Sequence, residues 1–250
     1  MNPSKFVGML SSIVLEDVFN PYADECAAFD VPGAAAIRRQ NLLSLLRAAE
    51  LIGVDTLWMG RDLGYRGGRR TGVALTDEVH LGELQSLFKG SELARATRGP
   101  AVAERTAAEI WRVLRTVEHR PLLWNVFPLH PHEAGNELSN RRFTSKELRS
   151  VIDLNLELIR WLKITKIVAI GNDAAEHASR LGVTVSLVRH PSYGGIADFR
   201  AGMSKLYPGD CNNSLFFQEA DSSVNAEQAS CFAKPAKRAR VKASVRRKTG

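Results

Sequence analysis

Four short apolar runs separated by helical patterns constrain the fold of this chain more than any other feature of its sequence. They are Val54–Met59, Pro121–Phe127, Lys166–Ile170 and Val183–Val188. Runs of this length between turn residues are typical of buried strands. Helical patterns lie between or beside them, including Val31–Ala49, Glu104–Val117, the capping-box segment Thr144–Leu162 and Ile196–Leu206. Strands that alternate with helices predict an α/β protein whose mostly parallel sheet is covered by helices on both faces.

The two ends of the chain differ from this alternation. Residues 1–33 contain three prolines and predict an irregular segment that packs on the core. Residues 34–210 predict one α/β domain, and residues 211–250 an irregular, strongly basic tail. Residues 232–250 hold eight lysines and arginines and no acid, so the net charge of +7 leaves −1 on the preceding residues. Such a tail binds nucleic acid by counterion release or is a solvated end.

The composition narrows the class of protein. Of 250 residues, 44% are hydrophobic and 24% charged, as in soluble globular chains. No apolar run approaches the roughly 20 residues of a membrane span, and the first residues lack the pattern of a secretory signal. Three cysteines without CxxC spacing indicate reduced thiols in a cytosolic protein and offer no four-cysteine metal or cluster site. We therefore expect a cytoplasmic monomer with no metal and no cofactor.

A stretch rich in glycine and arginine follows the first predicted strand, where open α/β sheets bind their ligands. Its glycines and arginines are Gly60, Arg61, Gly64, Arg66, Gly67, Gly68, Arg69, Arg70 and Gly72. Glycines let the backbone approach a ligand closely, and arginines match phosphate in charge and shape. We expect Asp62 to lie in a glycine-flanked turn at Gly60–Gly64. The alternative is a mobile, solvated basic loop, and the stretch lacks the P-loop pattern of nucleotide-binding enzymes.

Three side chains that suit chemistry lie at the carboxyl ends of predicted strands. They are Asp62, Asn125 and His190. Right-handed crossovers bring the carboxyl ends of parallel strands to one edge of the sheet, so we expect the three to meet in one crevice. Together they suit hydrolysis or the reading of a base. Each also has a structural alternative: the aspartate caps a turn, the asparagine bonds a neighbouring loop, or the histidine is a satisfied core residue.

The motifs around these residues resemble those of the uracil-DNA glycosylase superfamily. Gly60–Gly64 resembles its first motif, a strand followed by G-x-[D/N]-P-[Y/G]. Leu123–Asn125 resembles the strand end whose asparagine reads a pyrimidine, and His190–Ser192 resembles the H-P-S motif that faces the base and enters the minor groove. The resemblance runs from about Phe19 to Tyr207 and implies a bacterial or phage-related source. It also implies a three-layer α/β/α sandwich around a four-stranded parallel sheet.

The resemblance also implies an activity and a set of site residues. The activity is a monofunctional DNA glycosylase that extrudes a nucleotide and hydrolyses its N-glycosidic bond. Asp62 would stabilise the cationic sugar and orient water, and His190, neutral or protonated, would hydrogen-bond the departing base. No lysine lies in the three motifs, which favours simple hydrolysis over Schiff-base chemistry. The implied substrate-binding residues are Gly60, Leu63, Gly64, Tyr65, Leu75 and Asn125. The implied DNA-binding residues are Arg66, Arg69, Arg70, Arg189, Ser192 and Tyr193.

Departures from the family pattern concern the substrate. Leu63 replaces a proline, and Gly64 stands where strict uracil enzymes carry a tyrosine that excludes a 5-methyl group. Leu75 replaces a stacking phenylalanine, and Gly194 a leucine wedge, which leaves Tyr193 or Ile196 to fill the vacated stack. Each change enlarges or loosens the pocket. The predicted substrate is uracil or a 5-substituted pyrimidine in DNA; the alternatives are a bulky hypermodified cytosine of phage DNA, excised as antiviral defence, and a non-catalytic DNA-binding module.

Overall fold

The computed structural model of the chain describes residues 1–208. The helices are α1 (Pro3–Ser11), α2 (Ala34–Ile52), α3 (Gly68–Thr71), α4 (Leu81–Leu87), α5 (Arg105–Leu114), α6 (Ser145–Arg149), α7 (Ile152–Leu162), α8 (Asn172–Ala178) and α9 (Ile196–Leu206). The strands are β1 (Val18–Phe19), β2 (Thr56–Asp62), β3 (Leu122–Phe127), β4 (His130–Pro131), β5 (Lys166–Ile170) and β6 (Thr184–Val188). None of these helices is long and apolar enough to cross a membrane. The predicted basic tail, residues 211–250, lies outside the described residues.

The central sheet has four parallel strands in the order β3-β2-β5-β6. Every residue of β3 is buried, as expected for a strand covered on both faces. Helix α1 packs against α2 and α7, and α5 packs against α9. The predicted three-layer α/β/α sandwich is confirmed. Strands β1 and β4 form a separate antiparallel pair.

The first 33 residues are more regular than predicted, because they contain helix α1. The three prolines predicted an irregular segment, but Pro3 begins α1, because a proline in the first turn loses no helical hydrogen bond. The side chain of Asn2 caps the helix by accepting a hydrogen bond from the Lys5 N–H at 2.9 Å. Phe6 and Leu10 are fully buried, which anchors the segment on the core.

Two further boundaries differ from the sequence prediction. Strand β2 continues through Asp62, which pairs with Phe127 of β3, so the aspartate ends a strand rather than lying in a turn. The capping box of Thr144 and Glu147 is confirmed, but the helix it begins stops after one turn. The Ser150 hydroxyl donates to the Glu147 carbonyl at 2.6 Å and competes with the helical hydrogen bonds there, and α7 begins afresh at Ile152.

Candidate active site

The carboxyl ends of the four parallel strands form one edge of the sheet and bring three predicted residues to it. Asn125 lies on β3 and is paired in register with Gly60 of the neighbouring β2. Asp62 ends β2, and His190 follows β6 by two residues. The sheet order places β5 between the strands that carry Asp62 and His190. This edge of the sheet therefore carries an amide on β3, a carboxylate at the end of β2 and an imidazole just beyond β6.

The Asn125 amide is the most unusual group at this edge. The residue is 1% exposed, and within residues 1–208 neither its Oδ1 nor its Nδ2 has a hydrogen-bond partner. Leaving a buried polar group without a partner costs about 1–3 kcal/mol. A β-carbon added to Gly60 would lie 2.5 Å from Asn125 Oδ1 and 2.9 Å from Leu75 Cδ2, so only glycine fits there. Gly60 and Leu75 thus border an amide that is free to bind a ligand.

Asp62 is held by its neighbour Arg61. The Arg61 Nε lies 2.6 Å from Asp62 Oδ2, and its Nη1 lies 3.2 Å from Asp173 Oδ2 at the start of α8. The Asp62 side chain is 9% exposed. Burial raises its pKa to about 6, with Asp173 adding to the rise, although the Arg61 guanidinium opposes both. The carboxylate is therefore mostly ionised at neutral pH but strongly destabilised, as suits a group that faces developing positive charge.

His190 is oriented by the residue two positions after it. Its Nδ1 accepts a hydrogen bond from the Ser192 backbone N–H at 3.2 Å and lies 2.7 Å from the Ser192 hydroxyl. A β-carbon added to Gly171 would lie 3.1 Å from the His190 β-carbon, and the φ of +92° at Gly171 favours glycine. Burial, together with Arg61 and Arg189, lowers the pKa of His190. A neutral imidazole with Nδ1 as acceptor carries its proton on Nε2, which is then free to donate.

The backbone after Asp62 is clamped by residues that sequence reasoning did not single out. The Leu63 N–H donates to the Leu129 carbonyl at 3.2 Å, and His130 Nδ1 lies 2.7 Å from the Leu63 carbonyl. Burial lowers the pKa of His130 to about 4, so it stays neutral and donates one N–H. The Leu63 side chain is buried against Gly68, and the substrate-binding role of this residue stays a prediction.

Two of the predicted DNA-binding arginines are buried instead. Arg69 is 0% exposed, stacks over Phe19 at 3.9 Å and pairs with Glu137 at 3.1 Å. Arg70 stacks over Phe29 at 4.1 Å and pairs with buried Glu78 at 3.1 Å. Their guanidinium groups face the protein because each gains an aromatic face and a carboxylate. The alternative of a solvated loop is therefore wrong at these two residues. Their assignment to DNA binding stays a prediction, and both guanidinium groups are turned away from the surface.

The rest of the glycine and arginine stretch is also held from within. The Arg38 Nε donates to the Arg70 carbonyl at 3.1 Å, and the Tyr22 hydroxyl donates to the Gly72 carbonyl at 3.0 Å. Gly72 has a φ of +73° and lies against the Arg38 backbone, which explains a glycine at this position. The stretch therefore presents a fixed backbone to the crevice.

The remaining predicted DNA-binding residues lie at the surface. Arg66 and Arg189 are exposed, and Ser192 is partly exposed. Tyr193 is 98% exposed and has a φ of +51°, a strained conformation for a non-glycine residue. Ile196 is partly buried in α9 and is less available than Tyr193. Tyr65 is partly exposed, and its N–H is held by Asn140 Oδ1 at 3.1 Å.

A second carboxyl group, which sequence reasoning missed, lies beside Gly64. A β-carbon on Gly64 would be 2.9 Å from Glu104 Oε1, and one on Gly67 would be closer still to Oε2. The predicted empty space beside Gly64 is therefore occupied by Glu104. The only sequence signal was an acid just before the amphipathic helix α5, and nothing local relates it to a loop about forty residues earlier.

Comparison with known proteins rests on structure alone. No protein-family model matches the chain, and no curated protein does. Sixteen chains of solved structures match. One is wild-type SMUG2 from Pedobacter heparinus, which aligns with a TM-score of 0.52 over 90% of this chain and 98% of that one. The two chains share a fold. At 13% identity the likeness extends no further, so the roles of individual residues depend on the geometry described above.

Proposed function

We propose that the protein is a DNA glycosylase that hydrolyses the N-glycosidic bond of a flipped-out pyrimidine and leaves an abasic site. The observation that carries the proposal is the buried amide of Asn125, which has no hydrogen-bond partner among residues 1–208 and lies at the same sheet edge as Asp62 and His190. The fold likeness to SMUG2, a member of the uracil-DNA glycosylase superfamily, supports the same class of activity.

In this proposal Asn125 recognises the base. An amide offers an acceptor and two donors, which match the alternating donors and acceptors of a pyrimidine edge. A base cannot reach a buried amide from within the helical stack, so the nucleotide has to be extruded, at a cost of a few kcal/mol. Hydrogen bonds to the unsatisfied amide offset part of that cost. Leu75, next to Gly60, supplies apolar contact to the base.

Asp62 and His190 then act on the two sides of the bond that breaks. As the C1′–N bond lengthens, positive charge develops on the sugar and negative charge on the base. The Asp62 carboxylate stabilises the sugar cation and orients the water that attacks C1′. The Nε2–H of His190 donates to a carbonyl oxygen of the base, where the negative charge gathers. The products are an abasic sugar and the free base.

Exposed residues around the crevice bind the DNA backbone and the vacated stack. Arg66 and Arg189 are exposed cations next to the motifs that carry Asp62 and His190, and they suit the neighbouring phosphates. Tyr193 projects from the loop after His190 and fills the space that the extruded base leaves. Aromatic and apolar side chains commonly stabilise unstacked DNA in this way.

The test is incubation of the purified chain with end-labelled duplexes that each carry one altered base. Alkali-sensitive sites at that base, formed under single-turnover conditions, are expected for at least one pyrimidine. Asn125→Ala should bind the same duplexes but form such sites at least about tenfold more slowly, because the base loses its specific hydrogen bonds. DNA binding without abasic sites for any base would contradict the proposal and indicate a binding module.

A further inference from the structure

Resting on the proposed function, we propose that Glu104 selects the substrate by accepting a hydrogen bond from a donor on the C4–C5 edge of the flipped pyrimidine. The donor is either the exocyclic amine of a cytosine-type base or a hydroxyl on a 5-substituent. Glu104 thereby favours such bases over uracil and thymine. Glu104 determines which base is selected, whereas Asp62 and His190 carry out the hydrolysis as described above.

The position of the carboxyl group is the first support. Glu104 Oε1 lies in the direction in which a side chain at residue 64 would project, two residues after Asp62. Gly67 opens the same space from the other side, and a β-carbon there would collide with Oε2. Two glycines thus make room for one carboxyl group beside the crevice. The carboxyl group therefore lies next to the backbone that follows Asp62.

The lack of a partner is the second support. Glu104 is the N-cap residue of α5, but its side chain does not cap the helix. Its backbone N–H donates to Asp77 Oδ2 at 2.6 Å, which fixes the residue at the start of the helix. In the part of the chain that the structure describes, no group donates a hydrogen bond to its carboxyl oxygens. A partly buried carboxylate without a donor is destabilised and gains from a ligand that supplies one.

The chemistry of the base edge gives the selectivity. A carboxylate accepts hydrogen bonds and cannot donate them. Cytosine presents an N4 amine on this edge, whereas uracil and thymine present the O4 acceptor. An ionised Glu104 therefore repels O4 and attracts N4–H or a hydroxyl group. Uracil has nothing on this edge to satisfy the carboxylate, and thymine adds only a methyl group.

Electrostatics around Glu104 make the selectivity depend on pH. Burial raises the pKa of Glu104 to about 7, and the nearby carboxylates of Asp77 and Asp62 add to the rise, while Arg66 opposes it. Below this pH the protonated carboxyl group can donate to O4, so uracil is accepted better. Above it the ionised group only accepts, so donor-bearing bases are favoured. Titration of Asp62 changes the rate for every base alike and cancels in the ratio between two bases.

The experiment measures single-turnover excision from matched duplexes that carry cytosine, 5-hydroxymethylcytosine, 5-hydroxymethyluracil, uracil or thymine. At pH 8 we expect the preferred donor-bearing base to be excised about tenfold or more faster than uracil. Comparing the excision rates of cytosine and 5-hydroxymethyluracil shows whether the amine or the hydroxyl group is the donor. Glu104→Gln, whose amide can donate to O4, should reduce this preference about tenfold and abolish its change between pH 6 and 8. The control is Glu92→Gln, at an exposed residue, which should change neither the preference for donor-bearing bases nor its dependence on pH.

The possible outcomes separate this proposal from the proposed function. Excision of uracil at least as fast as every donor-bearing base, or an equal slowing of all bases in Glu104→Gln, would overturn the role of Glu104 and leave the glycosylase activity intact. Abasic sites from no base would instead contradict the glycosylase activity. In that case binding decides the role of Glu104. The role stands if duplexes with donor-bearing bases bind more tightly than the uracil duplex and Glu104→Gln removes this difference in affinity. It fails if the duplexes bind equally.

Discussion

The cost of keeping Asp62 ionised in a buried site should be measurable as stability. In the unfolded chain the carboxyl group has a pKa of 3.8, whereas burial raises it to about 6 in the folded protein. The difference is about 2 pKa units, and each unit corresponds to about 1.4 kcal/mol. Replacing Asp62 by the neutral isostere asparagine should therefore stabilise the free protein by up to about 3 kcal/mol at pH 8.

The pH dependence of this effect has a definite sign. Below pH 3.8 the carboxyl group is protonated in both states, so it contributes equally to each. Between pH 3.8 and about 6 the unfolded chain releases the proton while the folded protein retains it, so wild-type stability falls as pH rises. Above about pH 6 the wild-type protein has lost this stability completely, and its stability no longer changes with pH through Asp62. The Asp62→Asn variant does not undergo this loss, and its advantage should grow from pH 4 to 6 and then level off.

The assay is urea unfolding of both proteins at several pH values between 4 and 8, followed by tryptophan fluorescence. The control is Asp198→Asn, which removes an exposed carboxylate from α9. An advantage of Asp62→Asn that grows only above pH 4 and exceeds that of the control is expected. A variant less stable than wild type at pH 8 would refute the reasoning and show that the Arg61–Asp62 pair outweighs the burial of the carboxylate.

Three further predictions concern groups around the crevice. His190→Ala should slow excision by about two orders of magnitude in single-turnover assays, because the departing base loses its donor; near-normal rates would contradict this. Gly60→Ala should abolish excision but preserve a folded circular-dichroism spectrum, since the added carbon would displace the Asn125 amide and Leu75; full activity would show that the amide is not used. Deletion of 232–250 should weaken DNA binding at low salt and flatten its salt dependence, with the single-turnover rate at saturating enzyme little changed.

Much of the fold follows from local patterns. Strand β5 and helix α9 have the bounds predicted, because each is a compact apolar or periodic run ended by polar or breaking residues. The capping box of Thr144 and Glu147 is a purely local signal and is also confirmed. Helix α1 was missed because Pro3 indicates a helix start as readily as a helix break. The burial of Phe6 and Leu10 on the core favours the helix, and this contact is not visible in the local sequence.

The site was only partly predictable because charge alone does not show which way a side chain points. Arg69 and Arg70 have the composition of a DNA-binding loop, yet Phe19, Phe29 and their acidic partners bury them through contacts that are distant in sequence. Glu104 is separated from the crevice motifs along the chain, so only the folded structure relates it to Gly64. The positions of Asp62, Asn125 and His190 were easier to predict, because a parallel sheet brings the carboxyl ends of its strands to one edge.

The most direct test of the proposed function is the identity of the bond that breaks. Wild-type protein and Asp62→Asn are incubated with a duplex that carries one excisable pyrimidine, and the small-molecule fraction is analysed by mass spectrometry. We expect the wild type to release the intact free base and Asp62→Asn to do so at least about two orders of magnitude more slowly. DNA binding by the variant should be kept or strengthened, because a negative charge near the phosphates is lost. Release of a nucleotide instead of a base, or near-normal release by Asp62→Asn, would contradict the proposed function.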